Sequence, residues 1–171
     1  KSLFTNNRMI ERTLIIAKPD AVQRGLVGDI IKRFEKVGLK ISGIKMITPT
    51  NKQGGKHYPY DKKWLNSVGK KTRAGFAEKG IEMDETDLQI GSRIRNWLME
   101  YMASGPVVAM VFEGVHACEV GRKIVGSTEP RTSSPGTIRG DYAIESYRFA
   151  DSKERPVKNL VHAAETPKDA E

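Results

Sequence analysis

Hydrophobic and polar positions follow two different periods along this chain, and the switches between them mark its elements. Thr13–Ala17 is a short apolar run rich in β-branched residues and closed by Pro19, which predicts a buried strand. From Val22 the period lengthens. Val22, Leu26, Val27, Ile30, Ile31, Phe34 and Val37 share one helical face, with Arg24, Asp29, Lys32, Arg33 and Lys36 opposite. Gly38 ends that helix where a left-handed residue is wanted. Lys40–Thr48 reads as a second strand, and Asn51–Tyr60 as a short helix or turn. Pro59–Gln89 is the most polar long stretch, with glycines at 69, 75 and 80, and is expected to be an exposed excursion. A helix then shows its apolar face as Ile90, Ile94, Trp97, Leu98, Tyr101 and Met102.

Val107–Phe112 is continuously apolar and predicts a central strand, and Val115–Val125 returns to helical spacing. Gly126–Gly140 is a loop dense in turn formers, and Ser146–Lys158 is a second polar segment. A short strand at Asn159–His162 leads to a helix start, with Thr166 as N-cap, Pro167 in the first turn and Asp169 three after the cap. The order contains two β-α-β units. It predicts an α+β sandwich of ferredoxin-like type, an antiparallel four-stranded sheet with helices packed on it and a βαββαβ core. The expected organisation is one domain over residues 9–171, carrying insertions at about 59–89 and 146–158, with residues 1–8 as a tail. This architecture serves RNA binders, metal carriers and enzymes alike, so it does not choose an activity.

The 171 residues are 38% hydrophobic and 29% charged, as in ordinary globular proteins. No apolar run approaches the roughly 20 residues of a membrane span. Lys1–Arg8 lacks the apolar core of a signal peptide, so a cytoplasmic location is expected, with no membrane partner. The single cysteine, Cys118, excludes an internal disulfide and a multi-cysteine zinc site, and reads as a small buried hydrophobe. A net charge of +8 attracts polyanions. It sets the partner's sign and not its identity.

The P-loop, the dinucleotide-binding fingerprint and the protein-kinase signatures are all missing. Three other blocks stand in their place. The first is Ala17-Lys18-Pro19-Asp20-Ala21-Val22-Gln23-Arg24-Gly25, at the end of the first strand. The second joins Gly121-Arg122, Gly126-Ser127-Thr128-Glu129-Pro130 and Ser134-Pro135-Gly136-Thr137-Ile138-Arg139-Gly140-Asp141. The third is Asn159-Leu160-Val161-His162-Ala163-Ala164-Glu165. With these blocks, in this order and in a β-α-β frame, the chain closely resembles nucleoside diphosphate kinases over roughly three quarters of its length.

The resemblance implies a phosphotransferase that works by a ping-pong cycle between nucleoside di- and triphosphates, with Mg²⁺ held mainly by the nucleotide phosphates. His162 would be the residue phosphorylated, by attack through Nδ1. An imidazole with an ordinary pKa near 6.5 is already a nucleophile at neutral pH, which suits that role without a separate base. It also lies beside a predicted helix start, a position that favours anions. The resemblance makes Lys18 the bridge between the ribose 3′-OH and the transferring phosphate. Arg122, Arg139 and Thr128 become phosphate contacts, and a planar guanidinium suits phosphate oxygens. Tyr58 would donate a hydrogen bond near the reacting phosphate, and Asn159 would contact the sugar hydroxyls and Lys18. The base-stacking position falls near Ile94, with Leu98 beside it and Trp64 as a rival. The other histidines, His57 and His116, have no metal-ligand spacing and are expected to be surface or capping groups.

Ile94 departs from the aromatic that the family usually has there, and the chain departs from the family's pattern in two further places. Ala164 replaces the serine that helps orient the catalytic histidine, and the given sequence ends at Glu171, short of an expected orienting glutamate. Losing one such hydrogen bond costs on the order of 1 kcal/mol, which predicts a slower enzyme and not a dead one. The Pro130–Pro135 loop resembles one that packs between subunits, so a hexamer is expected, with a tetramer as the alternative. Two rival readings are a catalytically weak nucleotide-binding or scaffolding homologue and an RNA-binding ferredoxin-like module. The second lacks the aromatic-rich strands that stack bases, so no specific nucleic-acid partner is expected.

Overall fold

Strand β1 (Ile10–Ala17) runs through the middle of the sheet, and its C-terminal half is buried on both faces, Ile15 on one and Ile16 on the other. The computed structural model describes residues 9–78 and 80–171, so the expected tail at 1–8 lies outside the described residues. The four strands are ordered β2-β3-β1-β4, where β2 is Lys40–Ile47, β3 is Val107–Val115 and β4 is Val161–Ala163. All three neighbouring pairs are antiparallel. The fold is the ferredoxin-like α+β sandwich that the element order predicts.

One sheet face carries the main core. Ile15, Ala17, Met110 and Phe112 pack there against Ile30 and Phe34 of helix α2 (Val27–Lys36) and Ala117 and Val125 of helix α6 (Ala117–Val125). The rings of Phe34 and Phe112 stack at 4.6 Å. The second face is built around Ile16, Met102 and Val107, with Leu14, Ile47 and Tyr58 against them. Residues directly opposite in an antiparallel pair share a face. His162 pairs with Ile16, so register alone puts its side chain on this second face, away from the main core.

Several elements differ from the sequence expectation. The helix expected from Val22 to Val37 is two, α1 (Pro19–Gln23) and α2, because Gly25 turns the chain between them at φ +68. Asn51–His57 is helix α3, closed by a Thr50–Gln53 capping box. The expected excursion contains a 16-residue helix, α4 (Lys62–Ala77), which packs on α5 (Asp87–Ala103). Its buried side is Leu65 and Gly69. Two glycines are contact points here. A Cβ on Gly69 would overlap the Asp87 carbonyl, and one on Gly91 would overlap the Leu65 carbonyl, so the two backbones meet through them. The turn-rich loop holds a 3₁₀ turn at Pro130–Thr132 and then α7 (Ile138–Tyr142). The second polar segment holds α8 (Tyr147–Asp151), and the chain closes with α9 (Pro167–Ala170).

Gly69→Ala should therefore destabilise the protein by about 1–3 kcal/mol, as overpacking against backbone does. Gly75→Ala, in the same helix with open space around it, should be neutral or gain about 0.5–1 kcal/mol from helix propensity. Urea unfolding of both variants tests this. Equal effects would mean that α4 does not sit on α5 at Gly69.

Candidate active site

Five elements bring charged and polar side chains to one cleft. β4 supplies His162, the end of β1 supplies Lys18, the end of α3 supplies His57 and Tyr58, and α6 and α7 supply Arg122 and Arg139. All of them line one cleft of about 1220 Å³. Ile94, Leu98, Thr128 and Asn159 line the same cleft, so every site residue read from the sequence reaches it. Trp64 also lies on its wall.

Lys18 is 5% exposed and donates to Asn159 Oδ1 at 2.7 Å. Burial first, and the Arg139 charge next, lower its pKa to about 7. Asn159 is itself fixed, because its Nδ2 donates to the Thr128 carbonyl at 2.9 Å. The side chains of Lys18 and Asn159 are thus ordered in a chain of contacts that ends on the Thr128 backbone. Only the Thr128 main-chain carbonyl enters that chain, and the Thr128 residue itself is exposed.

Arg139 differs in detail from a simple phosphate clamp. Its Nε donates to the Asn159 carbonyl at 3.1 Å. One terminal nitrogen donates to the Gly126 and Ser127 carbonyls at 2.9 and 3.0 Å, and the other to the Val161 carbonyl at 2.6 Å. A guanidinium has five N–H groups, so one remains for a ligand. Burial lowers its pKa to about 10, which leaves it charged at neutral pH. Arg122 contrasts with it. Its side chain is half exposed and its ion pair with Glu165, at 3.7 Å, is loose. It is free to turn towards an anion.

His162 is held neutral. Burial is the largest cause, followed by the charges of His57, Lys18, Arg139 and Arg122, and together they push its pKa down to about 3. A neutral imidazole keeps a lone pair, which a nucleophile needs. His57 corrects the expectation of a surface or capping group. Its ring meets that of His162 edge-on at 4.5 Å and that of Tyr58 at 4.7 Å. Its Nε2 is buried without a hydrogen-bond partner, and burial, then Lys18, lower its pKa. The only sequence signal was its place beside Tyr58. His116 is exposed, at the N-cap of α6 with no side-chain cap bond. Tyr58 keeps its proton, since burial raises its phenol to about 12. The α9 start does not act as an anion seat, because Thr166 and Asp169 close it with their own capping box.

The cleft walls also hold Phe76, Trp97 and Tyr147, which the sequence reading did not single out. Both expected insertions contribute walls. Among the described residues no three His, Cys, Asp or Glu side chains form a group able to hold a metal ion, and no helix is long and apolar enough to cross a membrane.

Comparison with known proteins gives a consistent result. The family model for nucleoside diphosphate kinase matches residues 11–67 and 90–171. A nucleoside diphosphate kinase of Pyrobaculum aerophilum is 46% identical over 95% of this chain and 91% of its own length. One from Borreliella burgdorferi is 36% identical over 95% and 83%. The crystal structure of an NDP kinase from Pyrobaculum aerophilum superimposes with a TM-score of 0.90, covering 94% of this chain and 91% of that one, at 46% identity. A transition-state mimic of the Borrelia burgdorferi enzyme with bound vanadate and ADP gives 0.75 at 34% identity, covering 95% and 83%.

The burial of His162 has a consequence for stability. Its folded pKa of about 3 lies below the ordinary 6.5, so between those values the unfolded chain binds a proton that the folded chain refuses. Stability therefore falls as pH drops from 6.5 towards 3. His162→Asn should flatten that slope, measured by urea unfolding at pH 4.5 and 7. Equal losses in both proteins would show that the ring is not desolvated.

Proposed function

Because the chain belongs to the nucleoside diphosphate kinase family, we propose that His162 is the side chain on which this phosphotransferase carries the phosphoryl group. The observation that supports the assignment is a neutral imidazole in one cleft with Lys18, Arg122 and Arg139. In the first half-reaction Nδ1 attacks the γ-phosphorus of a nucleoside triphosphate in line. The N–P bond forms as the bond to the bridging oxygen breaks, and the diphosphate leaves with that electron pair. A second diphosphate enters the same cleft, its terminal oxygen takes the group, and the steps reverse.

Charge spreads over the equatorial and leaving oxygens during such a transfer, and the surrounding donors meet it there. Lys18, held by Asn159, faces the sugar hydroxyl and the moving phosphate. Tyr58, still protonated, donates a hydrogen bond. Arg122 supplies a mobile guanidinium, and Arg139 a fixed charge with one spare N–H. Thr128 adds a hydroxyl to the phosphate seat. Ile94 and Leu98 form the base-stacking wall, with Trp64 lining the same cleft. These apolar surfaces offer stacking without edge readout, which favours loose base selection.

Mg²⁺ would arrive on the nucleotide's phosphate oxygens and neutralise charge there. A hexamer, or else a tetramer, is supported by edge strand β2, which leaves Ile44 and Met46 exposed. Light scattering tests that assembly. The lone buried thiol of Cys118 suits a reducing cytoplasm.

A brief incubation with labelled ATP and Mg²⁺ should yield an acid-labile, alkali-stable phosphoprotein. Adding a nucleoside diphosphate should discharge it, and His162→Asn should never form it. Label surviving that substitution would place the acceptor elsewhere. The two arginines should also part company. Arg139→Lys loses several buried carbonyl contacts, each worth about 1 kcal/mol, so both melting temperature and turnover should fall. Arg122→Lys should leave melting unchanged and raise KM. A matching loss of melting temperature in both would contradict the division of roles.

A further inference from the structure

The chain makes a strained turn two residues before the proposed acceptor. Leu160 takes φ +66, one of three non-glycine residues with positive φ among those described. The Val161 amide donates to the Asn159 carbonyl at 2.7 Å, across a single residue. That is a γ-turn with its central residue in the left-handed region, a rare and costly conformation for a leucine. Strain of this kind persists only where the surroundings hold it.

The surroundings hold the carbonyls of this turn. Arg139 takes the Asn159 and Val161 carbonyls, and the Lys18 amide takes the Leu160 carbonyl at 2.8 Å. The Leu160 amide points to a side chain, Asp20 Oδ2, at 3.2 Å. Asp20 is 9% exposed, in a buried bond that spans 140 residues of sequence. Its other oxygen, Oδ1, is buried, as is the Tyr101 hydroxyl. Tyr101 is near enough for the carboxylate to act on it, since its phenol is raised by burial first and by Asp20 next. A carboxylate buried for packing alone would be a poor choice. This one has a specific donor.

We propose that Asp20 is a positioning residue for phosphoryl transfer, clamping the strained turn at Leu160 so that His162 faces the cleft. The inference rests on His162 being the phosphoryl acceptor. Asp20 has no part in binding the nucleotide on this account. Its loss should let Leu160 relax to negative φ and shift the imidazole, and displacements near 1 Å cost up to about 100-fold in such reactions.

The test uses the full chain and the rate of His162 phosphorylation by labelled ATP in single turnovers. Asp20→Ala should slow labelling by roughly tenfold or more, with ATP affinity changed less than about threefold. Asp20→Asn keeps an acceptor for the Leu160 amide and should stay within about threefold of wild type. The decisive variant is Leu160→Gly, because glycine adopts positive φ without strain. Alone it should lower stability, since Leu160 is 1% exposed in the main core, while the folded protein should be labelled within about threefold of the wild-type rate. Combined with Asp20→Ala it should restore most of the lost rate. A double variant as slow as Asp20→Ala, or an Asp20→Ala protein of full rate, would overturn the role. If Asp20→Ala is recovered unfolded, Asp20 is a folding residue and the proposal fails. A wild-type chain that never acquires acid-labile phosphate would instead overturn the acceptor assignment itself.

Discussion

Two cations are buried in one cleft, and the rest of the site follows from how the fold tolerates them. Lys18 and Arg139 are both under a tenth exposed. Taking such charges out of water is expensive unless polar groups replace the lost solvent. The chain replaces it mostly with neutral dipoles. Lys18 meets an asparagine oxygen, and Arg139 meets four carbonyls. A carboxylate salt-bridged to either would stabilise it more cheaply and cancel its charge. Neutral partners leave the positive field intact for an anion to complete. Burial is the largest cause of the depressed His162 pKa and the same field adds to it, so a cationic pocket and a neutral nucleophile come from one arrangement.

Register delivers that nucleophile. β4 has three residues, and its pairing with β1 is the shortest in the sheet. Moving it by one residue would turn His162 into the main core and Val161 into the cleft. Short pairing gives little resistance to such a slip. Val161 and Leu160, both essentially buried, resist it through packing, and the Arg139 contacts to both ends of the turn resist it through hydrogen bonds. Arg139 is therefore as much a structural clamp on the strand as a charge in the cleft.

Much of this was legible in the sequence, for reasons of period and punctuation. The apolar run before Lys18, the helical face ending at Gly38 and the continuous Val107–Phe112 strand gave the sandwich. The three motif blocks gave His162 and its neighbours. What escaped was set by tertiary contact. His57 sits in a polar stretch, and only the docking of α3 on the second sheet face brings its ring to His162. Helix α4 was hidden because Gly69 reads as a breaker, when its missing side chain is what lets two backbones touch. The turn at Leu160 left no trace, since leucine carries no preference for positive φ and the partner holding it lies 140 residues away.

The two polar segments acquire a common meaning from their position. Val68, Lys71, Thr72, Gly75 and Phe76 of α4 wall the cleft, and so do Tyr147, Ala150 and Val157 near α8. The first group falls within residues 68–89, the stretch between the two parts matched by the family model. None of these residues belongs to the main core. Chemistry is thus placed on strand ends and on α3, α6 and α7, where packing fixes it, while enclosure is left to helices hung on connections. A connection tolerates added length at small entropic cost, which rises only slowly with loop size. The cleft's depth and lining can therefore change in this segment without moving His162, Lys18 or Arg139, because no strand pairing passes through it.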